Sequence, residues 1–137
     1  MLMTAIAYLC QAAGVYHYVC DQIASKWRPA SGDWAPDLAP EMLTMLSKLA
    51  LADAQRIAIR ITIPQKKSSS LVVKLLLGVV EEYDLALRLL QAQSAGEVTE
   101  MTADLQLYIR NSHLYLTACA KCYLAKDHHQ HDRNGLA

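Results

Sequence analysis

Cys119 and Cys122 stand three residues apart, and Asp127-His-His-Gln-His-Asp132 follows shortly after them. Thiolate sulfur and imidazole nitrogen are zinc donors, and a zinc site needs four donors converging tetrahedrally. Helical periodicity puts both cysteines on the apolar face of a helix and the histidines in the turn beyond it, which makes convergence awkward. The pattern fits small buried cysteines and solvated histidines better than a zinc centre, with His128 and His129 placed to favour the negative end of the helix. Other acids fare no better as chemistry. Glu81, Glu82 and Asp84 are near neighbours on one helix and project in different directions, so they do not form a positioned carboxylate pair. Ser68-Ser-Ser70 lacks the strand-to-helix setting of a nucleophile elbow, and no Gly-rich phosphate loop or Walker lysine is present. The residues point to no catalytic group, no metal ligand and no cofactor.

The chain has 137 residues, the length of one ordinary domain, with 13 basic and 13 acidic side chains. A balanced charge gives no global field for nucleic acid or an anionic membrane, so Lys66-Lys67, Arg56, Arg60 and Arg88 read as solvated surface. Cys10, Cys20, Cys119 and Cys122, without a secretory signal, do not make a disulfide framework and suit a reducing cytoplasm. The first twenty residues hold no Asp, Glu, Lys or Arg. Gln11, Gly14, His17 and three tyrosines interrupt that run, so a helix buried on most sides is expected rather than a membrane span.

The elements that position these groups are all helical. Residues 2–25 form a first helix that ends before the Pro- and Gly-containing loop from Trp27 to Trp34. A second starts near Pro40, where a ring-fixed φ suits the first turn, and stops by Pro64. Gln65-Lys-Lys-Ser-Ser-Ser70 is a polar turn whose serines can cap a third helix, Ser69 to Gln93, and Ser94-Ala-Gly96 breaks that helix before a fourth from Val98 to Lys126. In the third, Val72, Leu76, Val79, Tyr83, Leu87 and Leu90 share a stripe away from Lys74, Glu81 and Arg88. In the fourth, Met101, Leu105, Tyr108, Ser112, Tyr115, Cys119, Cys122 and Tyr123 are expected to share the apolar face. Short connections between long helices imply antiparallel hairpins, either closed into a four-helix bundle or stacked. Tyr115 to Tyr123 followed by Gly135-Leu-Ala137 loosely resembles a tetratricopeptide unit, with a turn after the tyrosine-bearing helix.

Several local sequences, in order, resemble the middle of the BRO (Bro-one) domain, the family of ALIX, BROX and the fungal pH-signalling scaffolds. Gln11-Ala-Ala-Gly-Val-Tyr16 is similar to the family's small-Gly-x-aromatic helix before a Pro-containing loop. Leu49-Ala-Leu-Ala-Asp-Ala-Gln55 resembles its Leu-Ala-x-Ala-Gln segment, and Ser70-Leu-Val-Val-Lys-Leu75 lies at the matching distance downstream. Tyr115 to Ala137 looks most like the BROX version, including an Asp132-x-x-Gly135 turn. The resemblance implies an all-α, tetratricopeptide-like right-handed solenoid. Residues 1–137 would then be the central part of such a domain, truncated at both ends.

It also implies a function. BRO domains are non-catalytic adaptors that bind the C-terminal amphipathic helix of the core ESCRT-III subunit in endosomal sorting and membrane scission or repair. A chain of this kind is expected in the cytoplasm, with indirect, peripheral recruitment to membranes and no nucleic-acid partner. By position Leu71 and Leu75 match the family's ligand-contacting aliphatics, and Ala58 stands where ALIX carries an aromatic. Independently of the resemblance, Leu71 and Leu75 lie about 100° from the middle of the Val72/Leu76/Tyr83 stripe, and their row continues into Gly78 and Glu82. Such a row serves either as a partly exposed docking patch or as packing for a neighbouring helix. A generic tetratricopeptide-like module with another partner and a metal-binding helical bundle are the alternatives.

Overall fold

A computed structural model describes residues 1–27, 39–65, 68–93 and 100–135 of the chain. Among them there is no strand, and four long helices follow in order. Helix α1, Leu2–Tyr18, passes into a π-helical turn, Val19–Ala24; α2 is Pro40–Thr62, narrowing into a 3-10 turn, Ile63–Gln65; α3 is Ser69–Gln93; α4 is Glu100–Gly135.

Local chemistry sets these limits. Pro40 occupies the first turn of α2, where its missing N–H leaves no ladder bond unmade. At the far end Pro64 cannot donate to the ladder, and the backbone tightens. Ser68 then caps α3, its Oγ accepting the Leu71 N–H at 3.2 Å.

The major packing contacts run α1 to α2, α2 to α3 and α3 to α4, so the helices form an open array and not a closed bundle in which α1 meets α4. Ser47 donates to the Ala13 carbonyl at 3.0 Å, while Cys20 lies 3.5 Å from the Pro40 carbonyl and 3.7 Å from the Thr44 hydroxyl. Ascending α1 therefore descends α2. Likewise Ser69 and Val72 at the start of α3 border the same cavity as Tyr123 and Lys126 late in α4. Successive helices are antiparallel, and α2 and α4 run parallel.

One core fills the space between α2, α3 and α4. Met45, Val79, Tyr83, Leu90 and Ile109 are its largest fully buried side chains. The expected α3 stripe is its central wall: Val72, Leu76, Val79, Tyr83 and Leu90 are buried and Leu87 packs against them. A second buried stripe of α2, Leu43, Ala50 and Ala54, lies outside that cluster and serves the α1 side.

Three expectations are corrected. The first helix is not buried on most sides: Ala13 is the buried residue of α1, while Met3, Tyr8, Val15 and Tyr18 are 69%, 67%, 59% and 61% exposed. The cause is that α1 packs mainly on α2 and has one partner where a buried helix has several. No helix among the described residues is long and apolar enough to cross a membrane.

The apolar face of α4 is rotated from the expected one. Thr102, Ile109, Ser112, Leu116 and Ala120 are buried, whereas Tyr108, Tyr115 and Cys122 are exposed. These buried residues follow a heptad spacing, and the tyrosines flank it with their rings partly in water. Finally, α4 does not end at Lys126. It continues to Gly135, so the histidine-rich stretch and the Asp132-to-Gly135 segment are helix, and no turn follows Tyr123 as a tetratricopeptide unit would require.

Leu90→Ala, at a site with no exposed surface, should lower stability by about 3 kcal/mol, and Leu77→Ala, nearly half exposed, by about 0.5 kcal/mol or less. Urea unfolding midpoints of the two variants separate them, and equal shifts would contradict the placement of the core.

Candidate functional site

The residues singled out in the sequence lie on the outside of the α2–α3 hairpin. Leu71 and Leu75 are 41% and 38% exposed, one turn apart on α3, beside buried Val72 and Leu76. Ala58 is exposed on α2. Ala58 lies near the end of α2 and Leu71 in the first turn of α3, so all three residues sit at the same end of the hairpin.

The row continues as the helical period requires. A Cβ added at Gly78 would meet nothing within 4 Å, which leaves a bare strip of backbone after Leu75. Beyond it Glu82 keeps one carboxylate oxygen, Oε2, buried without a hydrogen-bond partner. An unsatisfied buried acceptor costs free energy, about 1–3 kcal/mol.

A polar network escaped the sequence reading. Asp53 of α2 accepts the hydroxyls of Tyr83 from α3 and Tyr108 from α4, the latter at 2.9 Å. One turn on, the Arg56 guanidinium donates to the Ser112 Oγ at 3.2 Å and stands 5.6 Å from the centre of the Tyr115 ring. Burial pushes the Tyr83 hydroxyl far above the ordinary phenol range, and its bond to the Asp53 carboxylate adds to the rise. Tyr108 is raised too, by burial first and then by the Asp53 charge and hydrogen bond. The only sequence signal for this network was Asp53 and Arg56 one turn apart, on a helix read for its alanines and leucines.

The network forms one end of a groove of about 740 Å³ between α2 and α4, floored by Leu76 of α3 and bordered by Leu9 of α1. Ile57, Ile59, Ile63 and Leu116 supply apolar walls, and Arg56 and Arg60 supply charge. Ala58, Leu71 and Leu75 do not line it.

The candidate metal donors are dispersed. Cys119 is half-buried beside the core, Cys122 is exposed, and His128 and His129 are exposed on α4. His131 faces Asp127 at 3.6 Å on the helix surface. Among the described residues no three His, Cys, Asp or Glu side chains are grouped to hold a metal ion. Of the acidic residues on α3, Asp84 pairs with Arg88.

The raised phenols have a consequence for pH. Folded Tyr83 holds its proton more tightly than the unfolded chain does, so the stability it contributes is complete below about pH 10 and is lost as the pH climbs above that value. Melting temperature should therefore fall as the pH rises from about 10 to 12 in the native sequence and fall less in Tyr83→Phe. Parallel pH profiles would refute the burial-driven shift.

No curated protein and no solved structure gives a significant match to this chain. The family model of the BRO1-like domain matches over residues 1–137, the span that holds the α2 segment Leu49 to Gln55 and the leucine row of α3. With the all-helical array that carries these elements, the chain belongs to the BRO1-like domain family.

Proposed function

We propose that the chain is a non-catalytic docking module and that Leu71, Leu75 and Ala58 form the surface on which it receives the C-terminal amphipathic helix of the core ESCRT-III subunit. The coarse role follows from the family, whose members are protein-binding scaffolds linked to ESCRT pathways. The finer reading rests on one observation: two leucines one turn apart remain about two-fifths exposed on the flank of a helix whose adjoining stripe is fully buried. An amphipathic helix presents apolar side chains at the same i, i+4 spacing, so the two faces can mesh.

Ala58 limits the affinity. Interfaces of this kind are usually dominated by a large anchor, and a methyl group at this position offers little contact area. The leucines therefore carry most of the apolar contact. Recruitment to ESCRT-active membranes would come through the bound partner, from a cytoplasmic pool.

Titration calorimetry against a synthetic ESCRT-III tail helix tests this reading. Leu71→Asp/Leu75→Asp should weaken binding more than about thirtyfold, since each leucine contributes roughly 1 kcal/mol on covering and each carboxylate adds a desolvation cost. Ala58→Phe should tighten it by about tenfold by restoring an anchor. An unchanged affinity in a folded double variant would sink the assignment.

A further inference from the structure

We propose that the α2–α4 groove is a second docking surface, separate from the leucine row, and that its occupant is an amphipathic helix carrying a carboxylate among its apolar side chains. The shape comes first. Two parallel helices with α3 beneath them and Leu9 of α1 at the edge make a trough whose ridges can seat one more helix at the usual spacing of about 8–10 Å. Its rim is uncovered, with Ile63 38% exposed and Tyr115 60% exposed, above a floor that holds the buried Leu76 and Leu116.

Charge then selects the occupant. Arg56 and Arg60 stand one turn apart on α2 and both line the groove, while Asp53 is its lone acid. The Asp53 carboxylate is already engaged by two phenols. No carboxylate among the described residues pairs with Arg60. The groove thus holds one cation in excess, with Arg60 exposed at its rim, the complement of a single Asp or Glu at the edge of an apolar helix face.

The cationic side is also preorganised. Ser112 and the Tyr115 ring fix the Arg56 guanidinium, so an incoming carboxylate meets a donor fork whose rotamer freedom is already spent. One excess charge in an apolar trough does not suit a polyanion, which would need a track of cations, and the chain has zero net charge.

The test uses the whole chain and a panel of fluorescein-labelled synthetic leucine-rich helices of roughly 18 residues, five turns, with a single Glu stepped along the apolar edge. Anisotropy should show saturable binding for at least one member. Arg60→Glu should weaken that complex at least tenfold, and exchanging the peptide's Glu for Lys should restore it. Tyr115→Ala should weaken it as well. Leu71→Asp/Leu75→Asp should leave it within twofold, which separates this surface from the one proposed for the ESCRT-III tail. The proposal is overturned if no peptide of the panel binds saturably, or if binding is indifferent to Arg60→Glu. It is also overturned if sedimentation shows a self-association that Arg60→Glu abolishes, since a second copy of the chain would then be the occupant.

Discussion

Helix α2 must bury two faces at once, and the rest of the molecule is arranged around that requirement. Met45 and Ala52 are fully buried toward α3 and α4, while Leu43 and Ala54 are almost as buried on the other side. A helix with two covered faces needs small residues where neighbours come closest. The segment Leu49-Ala-Leu-Ala-Asp-Ala-Gln55 supplies them: Ala50, Ala52 and Ala54 are all buried, and Leu51 is left 37% exposed. The same segment carries the likeness to the family, and its alternation of alanine with larger residues is a packing solution before it is a motif. Outer helix α1 faces no such demand and buries little of itself.

Asp53, in the middle of that segment, shows how a charge is accommodated there. Its carboxylate lies at the junction of three helices, where an unpaired ion would be expensive. Two phenolic donors from different helices make charge-assisted bonds to it, each worth about 1.5–3 kcal/mol. Because the partners come from α3 and α4, the bonds fix the position of both helices relative to α2. Apolar packing alone tolerates sliding of one helix along another; a shared carboxylate does not.

The sequence was most informative where one face of a helix meets one core. On α3 the period of Val72, Leu76, Val79, Tyr83 and Leu90 is a direct image of burial, and the boundaries at Ser69 and Gln93 follow from a capping serine and a broken pattern. On α4 the tyrosines misled, because a ring that lies at the edge of a core contributes to an apolar stripe without marking its centre. The length of α4 is not legible because the polar residues after Lys126 read equally well as a turn. Nothing in Asp127-His-His-Gln-His-Asp132 forbids helix, and an exposed helix needs no apolar face over its last turns. Exposure of α1 was illegible for a different reason: hydrophobicity reports what a residue would prefer, and not whether a neighbour is there to cover it. The leucine row was legible from its angle to the core, whereas the groove needed α2 and α4 in one view, since its residues are spread from Leu9 to Tyr123.

An open array has surfaces that a closed bundle does not, and here the two candidate surfaces differ in the sign of what they would accept. The row on α3 starts with Leu71 and Leu75, crosses a bare glycine and reaches Glu82, whose buried oxygen lacks a donor. The groove between α2 and α4 holds Arg60, which pairs with no carboxylate among the described residues. A partner with a basic side chain beyond its leucines is favoured near Glu82 on the first surface and disfavoured on the second, where it would meet the exposed Arg60. Charge therefore separates the helices that would suit the two surfaces. On the two proposals together, the surfaces would take different partners, since Leu71 and Leu75 do not line the groove.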